Sequence, residues 1–294
     1  MKNLPKVKYI ELNNPDIIWN KLLTSDSSIE INALSERIAC IIKDNLSKSK
    51  LNVILKYVIE MVGNNKDVRI LDCGCGGGQL VMYLKFLGYK NVIGVDVYDQ
   101  NRAGKLNLRH FNAESKTGDI FFKYDGSVLP FKKCSFDFII SQQVIEHVFD
   151  VENYFSECCR VLVDRGSMLL DFPQRLIPYD SHTRMWFVHY LPKKIRDYIY
   201  DKYRSNEVRK GSIYYNNFLF LKTTRYYKNI LRKIFSKTHD CTIERISSFN
   251  YSGVYEGNRF MRYLAHWTMK IPLISVFTKK LFSLISISTL IVTK

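Results

Sequence analysis

Two side chains able to move a proton stand next to each other at Glu146 and His147, preceded by the amides of Gln142 and Gln143. A carboxylate beside an imidazole suits general acid or base work on a hydroxyl, or, with further donors, the holding of a hard divalent cation. His182 and His189 follow downstream among Asp180, Trp186, Phe187 and Tyr190, as further candidates for a base or for completing a ligand set. A second constellation lies upstream: Asp72-Cys73-Gly74-Cys75-Gly76-Gly77-Gly78, with Asp96 placed 24 residues after Asp72. Glycines at alternate positions strip side chains from a turn so that backbone N–H groups and the next helix approach a ligand. An acid about 20 residues further on grips ribose hydroxyls. A ribose-bearing ligand follows, whereas zinc at Cys73 and Cys75 is disfavoured by the one-residue gap and the lack of a second cysteine pair.

Positioning these groups calls for short strands that end at them. VRILD (68–72), NVIGVD (91–96), DIFFKY (119–124), FDFIIS (136–141) and GSMLLDF (166–172) are apolar on both faces and alternate with helical segments such as LVMYLKFLG and VENYFSECCRVLV. That rhythm predicts an α/β fold, a Rossmann-like doubly wound and mainly parallel sheet. CTIERISSF (241–249) is the expected sixth strand and STLIVT (288–293) the seventh, with helices predicted within 15–62. The expected division is an N-terminal helical cap over 1–66 and a main domain over 67–294.

Half of the 44 Lys and Arg residues but only 7 of the 28 Asp and Glu lie at 173–294, so this part carries +15 of the net +16. Its partner is expected to be anionic. The first residues form no apolar signal core and no run of 18 apolar residues occurs, so a cytoplasmic location is expected. The seven scattered cysteines are expected to be reduced.

The acidic form of the glycine turn, D-x-G-x-G-x-G, resembles motif I of class I S-adenosylmethionine-dependent methyltransferases. Asp125-Gly126 through Pro130-Phe131 resembles that family's D-x-x-x-LPF segment, Ser135 to Ser141 its fourth strand, and Arg160-Val161-Leu162 with Gly166 its approach to strand five. The resemblance implies a seven-stranded sheet whose last strand is antiparallel, with substrate-side helical insertions at 173–237 and 250–286, after strands five and six. It also implies S-adenosylmethionine as cofactor. Asp72 would lie near its amino acid portion, Gly74, Cys75, Gly76 and Gly78 in the turn, Asp96 and Val97 at the ribose, Asp125 and Gly126 at the adenine, and Ser141, Gln142 and Gln143 beside the methionine portion.

Gln143 to His147 resembles the E-V-x-E-H segment of quinone O-methyltransferases and small-RNA 2′-O-methyltransferases. Gln143 replaces the first glutamate, which weakens a divalent-metal site, so metal-free base catalysis by His147, His182 or His189, assisted by Glu146, is preferred. The segments Pro178 to His182 and Phe187 to Pro192 resemble methyltransferases of surface-polysaccharide biosynthesis. An O-methyltransferase acting on a sugar, a lipid-linked glycan or a small molecule is the preferred reading, with peripheral membrane contact through 271–285 at the inner membrane face. An RNA methyltransferase using the basic C-terminal half and a non-catalytic cofactor-binding protein are the alternatives.

Overall fold

The computed structural model describes residues 50–86, 88–97, 120–180, 185–202, 219–244 and 272–294. The elements in chain order are α1 (Lys50–Val62), β1 (Arg69–Cys73), α2 (Gln79–Phe86), β2 (Asn91–Asp96), β3 (Phe121–Lys123), β4 (Phe136–Gln142), α3 (Val151–Val161) and β5 (Leu162–Phe172). They continue with a hairpin of β6 (Tyr179–Asp180) and β7 (Met185–Trp186), α4 (Lys193–Lys202), α5 (Thr224–Ile234), β8 (Lys237–Asp240), α6 (Pro272–Leu284) and β9 (Ser288–Thr293).

Seven strands pair in the order β3-β2-β1-β4-β5-β9-β8, with β1 to β5 parallel and β9 antiparallel to both of its neighbours. The doubly wound architecture and the antiparallel last strand are those expected. Alternate side chains of each strand leave the sheet on opposite faces. Ile70, Val92, Phe138 and Ile140 join α1 and α2 in one apolar cluster, while Leu71, Val95, Ile139 and Leu170 join α3 and α5 in the other. Two covered faces explain why these strands read as unbroken apolar runs.

Local signals set the helix starts. The Asp150 side chain caps α3 by accepting from the Asn153 N–H at 3.0 Å, and Thr223 caps α5 by accepting from the Tyr226 N–H at 3.3 Å. The α1 residues Ile54, Tyr57 and Val58 are buried in the first cluster, and the Tyr57 hydroxyl donates to the Cys241 carbonyl at 3.2 Å. The other N-terminal helices expected before residue 50 lie outside the described residues.

The sixth strand differs from expectation. It is β8 at 237–240, not 241–249; residues 242–244 are helical and 245–249 lie outside the described residues. As the sheet edge, β8 pairs only with β9 and half-buries only Thr238 and Asp240, so Lys-Thr-His-Asp serves without an apolar side chain, whereas Cys241 is buried and Ile243 exposed. The six described cysteines are all unbridged; Cys40 lies outside the described residues. No described helix is long and apolar enough to cross a membrane.

Candidate functional site

The carboxyl ends of β1, β2, β4 and β5 converge, as ligand sites of open parallel sheets do. The chain leaves β1 through Gly74, Gly76 and Gly78, all at positive φ (88°, 54° and 82°). Space dictates glycine at two of them: a Cβ on Gly74 would lie 2.3 Å from Val144, and one on Gly78 would lie 2.6 Å from the Phe121 ring. At Gly76 a Cβ would meet nothing within 4 Å.

The expectation that the N–H groups of this turn face a ligand is corrected. The Gly74 and Cys75 N–H groups both donate to the Val95 carbonyl (2.8 and 3.0 Å), Gly78 donates to the Cys75 carbonyl (2.9 Å), and Gly76 donates to Asp96 Oδ2 (2.7 Å). These bonds shape the turn and orient Asp96, so recognition falls to the carboxylates. Cys75 is buried, and a Cβ on Gly94 would come within 2.8 Å of its sulfur, which places the thiol in the core.

Asp72 is 3 % exposed at the end of β1, and its carboxyl has no hydrogen-bond partner among the described residues. Burial first, and the neighbouring Asp96 charge second, push its pKa up to about 8. A buried acid with no partner beside an open turn fits the ammonium of an amino acid moiety, which would supply both a hydrogen bond and a counter-charge. Asp96, Val97, Asp125 and Gly126 form the next wall: the Tyr124 N–H donates to the Asp96 carbonyl (3.2 Å), and Val97 lies 3.3 Å from where a Gly126 Cβ would be. Asp125 is exposed, and its Oδ1 accepts from the N–H groups of Ser127 (2.8 Å) and Val128 (3.2 Å), which lowers its pKa.

The structure separates the three residues proposed for the methionine portion. Ser141 is corrected: its hydroxyl is buried 2.8 Å from the Tyr154 hydroxyl and belongs to the core beneath α3. Gln142 ends β4 half-buried. Gln143 is exposed at φ 55°, its N–H donating to the Asp171 carbonyl at 2.7 Å.

A short 3-10 turn, Ile145–His147, follows. It presses Val144 against Gly74 and brings Glu146 and His147 to the same end of the sheet. Glu146 is fully buried, neither carboxyl oxygen has a hydrogen-bond partner among the described residues, and His147 Nε2 stands 3.8 Å from Oε1. Burial, with Asp171 adding, raises the Glu146 pKa to about 8. Sequence reasoning missed Asp171, which accepts from the Thr289 hydroxyl at 2.8 Å, and the buried Tyr227, whose phenol burial and the Glu146 charge hold above its ordinary range. The signal for Asp171 was available: it is an acid ending an apolar strand, like Asp72 and Asp96.

His189 is buried in the 3-10 turn 188–190, its ring 4.3 Å from that of Tyr190, and lines a cavity bordered by the 219–222 segment. That segment reaches the Glu146 turn, since the Phe220 N–H donates to the Glu146 carbonyl at 2.6 Å. Trp186, Phe187 and Tyr190 pack ring against ring beside it. His182 and the side chain of Asp180 lie outside what is described, as do residues 203–218 and 245–271. Among the described residues, no group of three or more His, Cys, Asp or Glu is arranged to hold a metal.

Comparison with known proteins places this geometry. Residues 71–170 match the family described as methyltransferase domain. A ubiquinone biosynthesis O-methyltransferase of Pelagibacter ubique is 30 % identical over 105 residues, 36 % of this chain and 42 % of that protein. The human mitochondrial ubiquinone biosynthesis O-methyltransferase is 32 % identical over 117 residues, 35 % of this chain and 28 % of that one. A probable S-adenosylmethionine-dependent methyltransferase of Mycolicibacterium smegmatis is 31 % identical over 107 residues, 36 % and 38 % of the two chains. The chain thus spans less than half the length of these relatives. In this stretch, with its sheet order and acid-lined glycine turn, the chain is similar to Rossmann-like, class I S-adenosylmethionine-dependent methyltransferases.

Proposed function

We propose that the chain transfers a methyl group from S-adenosylmethionine to a hydroxyl of a sugar or lipid-linked glycan. The observation that carries the O-methyl reading is the buried, hydrogen-bond-free Glu146 carboxyl beside His147, wedged through Val144 against the cofactor turn. The names of the ubiquinone O-methyltransferase relatives support a hydroxyl acceptor. The exposed Phe277, Leu281 and Leu284 of α6, beside Lys279 and Lys280, support contact with a membrane surface where a lipid-linked acceptor resides.

When bound, the cofactor supplies a methyl on a sulfonium, open to in-line displacement. Asp72 would hold the ammonium of its amino acid portion, Asp96 its ribose hydroxyls, and Asp125 would face the adenine amino group. His147 would take the proton of the acceptor hydroxyl as that oxygen is methylated. Glu146, 3.8 Å from His147 Nε2, would orient the imidazole and, where it is ionised, stabilise the imidazolium that forms. Half-buried Gln142 and Val144 keep water from the reacting centre.

The test is transfer of labelled methyl from S-adenosylmethionine to lysate fractions by the wild-type protein and by His147→Gln. A general base contributes about 10²- to 10⁴-fold, so His147→Gln should lose at least about 100-fold in rate with cofactor affinity intact. Label in glycan or lipid, lost in the variant, supports the reading; label in RNA, or a His147→Gln protein of unchanged rate, overturns it.

A further inference from the structure

Next to the Glu146 turn lies a cavity of about 340 Å³. Its walls come from four separate stretches: the turn after β5, the 188–190 turn, the start of α4 and the 219–222 segment. Arg175, Lys193, Arg196 and Lys222 line it together with His189 and Phe220, and among the described residues no acid does. Its walls are tied: the Arg175 N–H donates to the Lys222 carbonyl at 3.0 Å, and the Phe220 N–H donates to the Glu146 carbonyl. The second bond joins the basic cavity directly to the turn that carries Glu146 and His147.

Arg175, Lys193 and Lys222 are exposed, so water screens their mutual repulsion, yet three like charges around one concavity still raise a positive potential over it. No described carboxylate lies within ion-pair distance of Arg175, Lys193 or Lys222. An anion relieves that repulsion. A carboxylate would balance only a fraction of the charge, whereas a phosphate or diphosphate offers several acceptor oxygens and two or more charges, and two arginine forks match their geometry.

We infer that this cavity binds the phosphate or diphosphate group of the methyl acceptor, holding the acceptor so that its hydroxyl reaches His147. The inference rests on the methyl-transfer reading above for the word acceptor, but the anion site is testable without it. A soluble phosphorylated sugar and a lipid-linked diphosphate present the same chemistry here. Sequence alone hides the site because its cations are scattered over almost 50 residues.

The experiment is calorimetric titration of the full chain with inorganic pyrophosphate at low salt, and separately with S-adenosylhomocysteine. Pyrophosphate should bind, weaken as salt rises, and lose at least about tenfold in affinity in the Arg175→Gln/Lys222→Gln variant. The Arg175→Lys/Lys222→Arg variant, which keeps the charge, should stay within about threefold, and S-adenosylhomocysteine affinity should be unchanged in both. Equal pyrophosphate binding by the wild type and the glutamine variant, or none by a protein that binds S-adenosylhomocysteine, overturns the inference. Site-specific pyrophosphate binding without S-adenosylhomocysteine binding overturns the methyl-transfer reading and leaves the anion site standing. In the labelled-lysate assay the product should be retained on an anion-exchange resin. Partition into butanol then assigns the phosphate to a lipid carrier and retention in water to a soluble sugar, and a product that passes through the resin contradicts the inference.

Discussion

Asp72 should make cofactor binding release a proton. In the free protein its pKa is about 8, so at pH 6 about one molecule in 100 carries the charge that an ammonium needs, and at pH 7 about one in 10. The amino group of the ligand stays protonated below about pH 7. Affinity for S-adenosylhomocysteine should therefore rise close to tenfold between pH 6 and pH 7, about 1.4 kcal/mol, pass through a maximum near about pH 8 and fall above it as the ligand ammonium loses its proton. The free protein shows the opposite trend. An acid whose pKa is raised on folding contributes its full stability below the unfolded value, near 3.8, and loses it progressively as pH climbs through the folded value near 8. The loss is at most about 6 kcal/mol for this shift. Asp72→Asn mimics the protonated acid. It should keep the free protein stable at pH 8, abolish the pH slope of binding, and weaken binding at pH 7.5 by about 10- to 100-fold. Calorimetry in two buffers of different ionisation enthalpy counts the released proton directly, expected to be close to one at pH 6.5. Binding that changes less than twofold between pH 5.5 and 7, or an Asn variant with the same slope as wild type, would refute the role given to Asp72.

Further outcomes follow from other contacts. Gly74→Ala places a Cβ 2.3 Å from Val144 at φ 88° and should cost about 2–4 kcal/mol in thermal unfolding, partly restored by Val144→Ala. Glu146→Gln should raise the melting temperature above pH 8, where the wild-type carboxyl ionises in a buried site, while lowering the methyl-transfer rate. Ser141→Ala should lose about 1 kcal/mol with its bond to the Tyr154 hydroxyl, seen in denaturant unfolding, and leave S-adenosylhomocysteine affinity unchanged.

The strands were legible because helices cover both faces of the sheet, leaving apolar runs that only an acid interrupts. Asp72, Asp96 and the overlooked Asp171 all mark such carboxyl ends. The parity of β4 could also have placed Ser141: it shares a face with Ile139, which packs beneath α3, not with Ile140. Glycine spacing revealed where side chains are forbidden but not where the N–H groups go, because their acceptors, Val95 and Asp96, lie on another strand. Edge strand β8 left no apolar trace, since its half-buried face is made by the polar Thr238 and Asp240, the latter paired with Lys228. The basic cavity was hidden for a different reason, its four cations being gathered by chain folding and not by any local pattern.

The order of the sheet also bears on aggregation. Among the described residues its long strands are all interior, and its two edges are β3, three residues ending in Lys123, and β8, four residues beginning with Lys237. Short edges bearing lysine are poor templates for another strand, so runaway polymerisation by sheet extension is blocked at both ends.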